Sequence, residues 1–193
     1  MKRISLSLAL ISCLSVAMQA QAPGGTSTVA PGTLIEPSVS LNAMLTGTEV
    51  QMMSLVKAMP ADKYDFAPSA GIFISSQKTD FTTVRTFGAL VVHVTQANYG
   101  LGARFGGIKP DVDVKGLAAL KDKEQIVAAL AASFTFLHKA IGTITVANAF
   151  ESLNGPTTRA TLAGGAVVHT SDEYGQMVEY LRMNGVVPPA SAK

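Results

Sequence analysis

An all-α fold, a bundle of four helices, follows from two features of this 193-residue sequence. Apolar residues recur at three- and four-residue steps in four separate stretches, each roughly 20 residues or between five and six turns long. Residues that start and stop helices bracket those stretches.

The chain opens on a different kind of segment. Met1-Lys2-Arg3 is basic, and Ile4 to Ala17 is mostly apolar but shorter than the roughly 18 to 20 residues that cross a bilayer. Residues 1–22 therefore read as a signal peptide, with cleavage after Ala22 or Ala20. Cys13 offers a lesser alternative, acylation as a lipoprotein, which the continuing apolar residues Leu14, Val16 and Ala17 disfavour. Residues 23–40, rich in Pro, Gly, Ser and Thr, read as a flexible leader with little apolar surface to offset the entropy of ordering it. The domain is placed at residues 41–190, exported to the periplasm or beyond.

Within it, Leu41, Met44, Leu45, Thr48, Met52, Leu55, Val56 and Met59 form the first helical face, with Ser40 as N-cap and Pro60 as terminator. The second helix starts at the N-cap Thr86, carries Phe87, Leu90, Val91, Val94, Ala97 and Leu101, and stops at Gly106-Gly107. Asp122 opens the third, with Gln125 positioned to reach back as a capping box. Its stripe is Ile126, Val127, Leu130, Phe134, Leu137, Ile141 and Ile144. The fourth runs from about Leu162 to Asn184, with Val167, Tyr174, Met177, Val178 and Leu181 as apolar content and Gly185 as C-cap. Between helices one and two, Ile72 to Val84 is rich in β-branched and aromatic residues, which predicts a short hairpin.

Composition excludes several classes of function. The 15 basic and 13 acidic residues become balanced once Lys2 and Arg3 are removed, so no nucleic-acid-binding surface is expected. No later apolar run is long enough to span a membrane. A single cysteine excludes an intrachain disulfide, so burial alone must hold the domain. The methionines sit at core-like spacing and serve as fillers rather than copper ligands. Gly175 reads as a point of close helix approach.

The three histidines define the candidate chemistry. His93 faces the same side as Leu90 and Ala97. His169, Glu173 and Gln176 fall within an arc of about 60° on the fourth helix. That spacing lets one helix grip an ion with two side chains, while a neighbouring helix supplies a third. It is equally the spacing of a His–Glu pair on a helix surface, the commoner arrangement. His138 flanks the stripe of helix three, either as a half-exposed residue beside Lys139 or as a further ligand or a partner to one. Gln176 is placed to orient His169 or a bound water. Tyr99, Tyr174 and Tyr180 read as packing residues with a hydroxyl free to meet a small-molecule ligand.

Residues 169–189 (HTSDEYGQMVEYLRMNGVVPP) resemble the last helix of the DinB-like superfamily, where the pattern is H-x-x-x-H-x-G-Q. Further matches are MPADKYDFAP at 59–68, VRTFG at 84–88 and SFTFLHKAI at 133–141, in the family's order across the whole domain. The resemblance implies an antiparallel four-helix bundle holding a divalent metal by one histidine from helix two and two from helix four. Residue by residue, His93 and His169 match two ligands, and Glu173 stands where the third histidine belongs. Two histidines and a carboxylate suit Zn²⁺ or Fe²⁺, whereas three histidines lean to Zn²⁺ or Ni²⁺. The expectation is an exported metal-binding bundle, either a metal-dependent transferase or hydrolase or a non-catalytic partner-binding module that has lost the metal. Such a bundle also leaves room for a homodimer through an incompletely covered face.

Overall fold

The computed structural model describes residues 29–72, 74, 76, 78 and 80–192. The signal peptide expected at 1–22 lies outside the described residues. By contacts the chain divides into Met1–Leu34 and Ile35–Lys193. In the first unit, Ala30 to Thr33 form a turn in which Gly32 takes φ 87°. Everything below concerns the second.

Four long helices dominate it: α1 Pro37–Ala58, α2 Phe87–Gly106, α3 Lys123–Ile141 and α4 Arg159–Met183. Single turns of 3₁₀ helix occur at Ala61–Lys63, Ala70–Ile72, Gly116–Ala119 and Pro189–Ser191. A two-stranded antiparallel hairpin, β1 Ser152–Asn154 and β2 Thr157–Thr158, precedes α4. Among the described residues no helix is long and apolar enough to cross a membrane.

The ends of the helices follow local chemistry. Thr86 accepts from the Ala89 N–H and Asp122 from the Gln125 N–H, so both expected caps are in place. At α3 the bond observed is to the Gln125 backbone, one half of the box anticipated there. A reciprocal box forms instead at α4, between Thr158 and Thr161, so that helix starts at Arg159 rather than Leu162. α1 likewise starts earlier than Ser40 suggests: Pro37 occupies the first turn, where its missing N–H is not needed. Past α4, Gly185 adopts φ 72° while its N–H bonds to Arg182 and that of Val186 to Leu181, a Schellman motif.

The end of α1 is closed by side chains from elsewhere. Pro60 has no N–H to offer the Val56 carbonyl, and the buried Tyr64 hydroxyl donates to it at 2.7 Å instead. Lys123, the first residue of α3, donates to the Lys57 and Met59 carbonyls. Arg159, the first residue of α4, donates in the same way to the Phe105 carbonyl near the end of α2. The start of α3 thus meets the end of α1, and the start of α4 meets the end of α2.

α2 and α3 run in the same direction, because Asn98 bonds Ser133, Gly102 faces Phe136 and Gly106 faces Ala140. A Cβ on Gly106 would lie 2.8 Å from the Ala140 Cβ, and one on Gly102 would lie 2.9 Å from the Phe136 ring. These two glycines let the helices approach closely. α1 contacts α3 and α4, α2 contacts the same two, and one continuous core joins all four. Leu45, Met52, Leu55, Phe87, Phe105, Phe134, Leu137, Ile141 and Met177 are fully enclosed in it.

Three local expectations need correction. Among the described residues at 72–84 none is in a strand, and Ala70–Ile72 is 3₁₀. The strands lie at 152–158, where Asn154-Gly155 is a turn dipeptide and Gly155 takes φ 55°. Met44 is exposed on α1 rather than part of the core. Gly175 faces open space, with nothing within 4 Å of a built Cβ, so it serves no close helix contact.

Candidate metal centre

α2 and α4 run antiparallel, bringing His93 opposite His169 and Glu173. The four-residue step between His169 and Glu173 puts both on the same side of α4. The burial differs across the group: Glu173 is buried and both histidines are half-buried. The carboxylate lies on the core side and the two rings lie toward solvent.

Three ligand atoms converge. His93 Nε2 lies 3.1 Å from His169 Nε2 and 3.4 Å from Glu173 Oε1, and the His169 Nε2 to Oε1 distance is 3.7 Å. Two atoms each about 2.1 Å from one tetrahedral ion are separated by about 3.4 Å, so the triangle has the size of a coordination face. Its partly exposed histidine side leaves room for further ligands. This buried group can hold a metal ion.

The polar bookkeeping points the same way. Glu173 Oε2 and His169 Nδ1 are buried without a protein partner. A buried carboxylate oxygen without a donor is costly, and a cation relieves that cost. His93 is held below the ordinary histidine value, first by burial and then by the Arg85 charge, with His169 adding and Glu173 opposing. The ring is accordingly neutral at neutral pH, the form that donates a lone pair to an ion. One feature departs from the usual metal-bound histidine, which gives its second N–H to an acceptor: His169 Nδ1 has no such protein acceptor.

The other residues singled out in the sequence lie elsewhere. His138 sits between α3 and α1, with Nδ1 2.6 Å from Asn42 Oδ1 and Nε2 2.8 Å from Glu49 Oε2. It belongs to that pair of contacts and does not join the His93 group. Gln176 is exposed on α4 and orients neither His169 nor Glu173. Tyr180 is near the centre: its hydroxyl donates to the Arg85 carbonyl at 3.0 Å, and burial followed by the Glu173 charge pushes its pKa up. Tyr99 packs against Phe136 on the α3 side, and Tyr174 is half-buried.

A cavity adjoins the centre that the sequence did not suggest. Its volume is about 230 Å³, and His93 is one of its walls. Tyr64, Thr86 and Gln96 line it, together with the charged residues Arg85, Lys121 and Asp65. Part of this wall is the segment between α2 and α3, tied to α2 by a bond from Gln96 Nε2 to the Val114 carbonyl. Arg85 and Lys121 each stand just before a helix cap, Thr86 and Asp122.

No family model matches this chain, and a search of curated proteins returned no significant match.

Proposed function

We propose that this chain is an exported DinB-like four-helix bundle that binds one divalent metal ion through His93, His169 and Glu173. The single observation that carries the proposal is the convergence of three ligand atoms from two helices beside a buried, unpartnered carboxylate oxygen. Support for the bundle comes from the pairings already described. α1 opposes α3, α2 opposes α4 and α2 parallels α3, giving an up, down, down, up arrangement with opposed neighbours across two of its interfaces. The DinB-like reading rests on the four sequence matches and on the ligands falling on helices two and four. Export rests on the composition of residues 1–22.

Zn²⁺ and Fe²⁺ fit the two-nitrogen, one-oxygen donor set. Such an ion, when bound, lowers the pKa of a coordinated water or thiol and supplies a nucleophile near neutral pH, which suits hydrolysis or group transfer. The protein's part is to hold His93 neutral, to present Glu173 Oε1 to the two histidine nitrogens, and to leave the histidine side accessible.

The competing reading is a bundle without metal, favoured by the 3.1 Å separation of the two Nε2 atoms, which suits a hydrogen bond between one protonated and one bare nitrogen. Metal analysis of untagged protein separates the two. About one Zn²⁺ or Fe²⁺ per chain, abolished by His93→Ala, supports the metal site. No bound ion after reconstitution sets it aside in favour of the histidine pair.

A further inference from the structure

We infer that the cavity beside His93 binds a small organic anion, a carboxylate-bearing molecule held by Arg85 and Lys121 with its other end toward His93. The inference deepens the proposed function, on which its placement next to an ion rests, but the cavity and its charges stand independently of any ion. His93 is the residue that the cavity and the three-atom group share.

Charge selects the class of ligand. Arg85 and Lys121 line the cavity and make no side-chain hydrogen bond or ion pair among the described residues. Asp65 is the one carboxylate on the wall, so the cations outnumber it. An arginine fork matches a carboxylate in two parallel hydrogen bonds, and a lysine adds a point charge.

The backbone at the start of α2 is not the recognition element. Its early N–H groups are already engaged: Phe87 bonds the Phe66 carbonyl, Gly88 the Tyr64 carbonyl, and Ala89 the Thr86 hydroxyl. Recognition falls to side chains. Gln96 donates an amide N–H to the Val114 carbonyl. Size limits the ligand further. A cavity of about 230 Å³ suits a short dicarboxylate or a small acyl compound.

The test is calorimetric titration of succinate and glutarate, with neutral succinamide as control, into full-length protein in metal-loaded and metal-free form. Binding of either dianion, absent for succinamide and weakened about tenfold by Arg85→Gln and again by Lys121→Gln, is the expected result. Metal content and melting temperature should be unchanged in Lys121→Gln. Retention of that pattern in metal-free protein supports the cavity even if the metal proposal fails. Binding that needs the ion and ignores both charge removals means the ion alone captures the anion, and overturns the inference. So does the absence of dianion binding to either form, or equal binding of succinamide.

Discussion

His93 and His169, 76 positions apart in sequence, meet with their Nε2 atoms 3.1 Å apart across the α2–α4 interface. Glu173 completes the group from below, and its role is separable from theirs. Glu173→Gln keeps the size of the side chain and removes an anionic ligand. Metal affinity should fall by at least about tenfold, while the melting temperature of metal-free protein should be unchanged or higher, because a buried carboxylate has been replaced by a neutral amide. Metal titration and thermal melts check the two halves, and a metal affinity equal to wild type would remove Glu173 from the ligand set.

The family pattern suggests the reverse substitution. Glu173→His should raise affinity for Ni²⁺ and Zn²⁺ by about tenfold or more, as a third imidazole joins the two present. Competitive titration against a chromophoric chelator measures this. An unchanged affinity would mean that an imidazole at position 173 cannot reach the two Nε2 atoms.

The lowered proton affinity of His93 has a consequence for stability. As pH falls, the unfolded chain takes up this proton near the ordinary histidine value of about 6.5, before the folded protein does. The stabilising contribution is therefore complete above about 6.5 and is lost as pH drops through that value toward the folded one. Melting temperatures of metal-free protein measured from about pH 8 to about pH 5 should fall more steeply in wild type than in His93→Gln. Parallel curves would show that His93 titrates alike in the two states.

Two glycines on helices should respond oppositely to alanine. At Gly106 the new methyl would meet the Ala140 Cβ and Cα at 2.8 and 3.0 Å, so the α2–α3 contact must open, at a cost of about 1–3 kcal/mol. At Gly175 the methyl enters open space on an exposed surface of α4, and helix propensity alone should stabilise by up to about 1 kcal/mol. Urea denaturation of both variants gives the sign directly, and a stabilised Gly106→Ala would show that the helices part without penalty.

Tyr64 supplies the hydrogen bond that Pro60 withholds from α1. Tyr64→Phe leaves the Val56 carbonyl buried without that donor and should cost about 1–3 kcal/mol. A variant as stable as wild type would mean that water replaces the hydroxyl.

Much of this architecture was legible before any coordinates. The caps at Thr86 and Asp122, the stop at Gly107 and the turn at Gly185 are local, and each is written in a few adjacent residues. Side-chain periodicity located α1 to α4 for the same reason. What failed depended on how each helix is rotated against the others. A helical wheel puts Gln176 within about 60° of His169, yet Gln176 faces solvent while Glu173, between them in sequence, is buried. Met44 was grouped with the core by the same reasoning and lies exposed. His138 was ambiguous because its partners, Asn42 and Glu49, are on the helix furthest from it in sequence order. The hairpin had a different cause: β-branched composition, as at 72–84, is a weak strand signal, whereas the Asn154-Gly155 turn dipeptide sits between the two strands observed.

Because α2 and α3 run the same way, the chain must travel back along α2 between Gly107 and Asp122, and this return segment is where Lys121 enters the cavity wall. The cavity wall is thus built partly by α2, through His93 and Gln96, and partly by the return segment, through Ala118, Leu120 and Lys121. Changes in length or sequence within the return segment can reshape what is recognised while the hydrogen-bond ladders of α2 and α4 stay intact. A fold wired in this manner is suited to diversification: one rigid pair of helices carrying His93, His169 and Glu173, and one replaceable strip of chain on the wall of the neighbouring cavity.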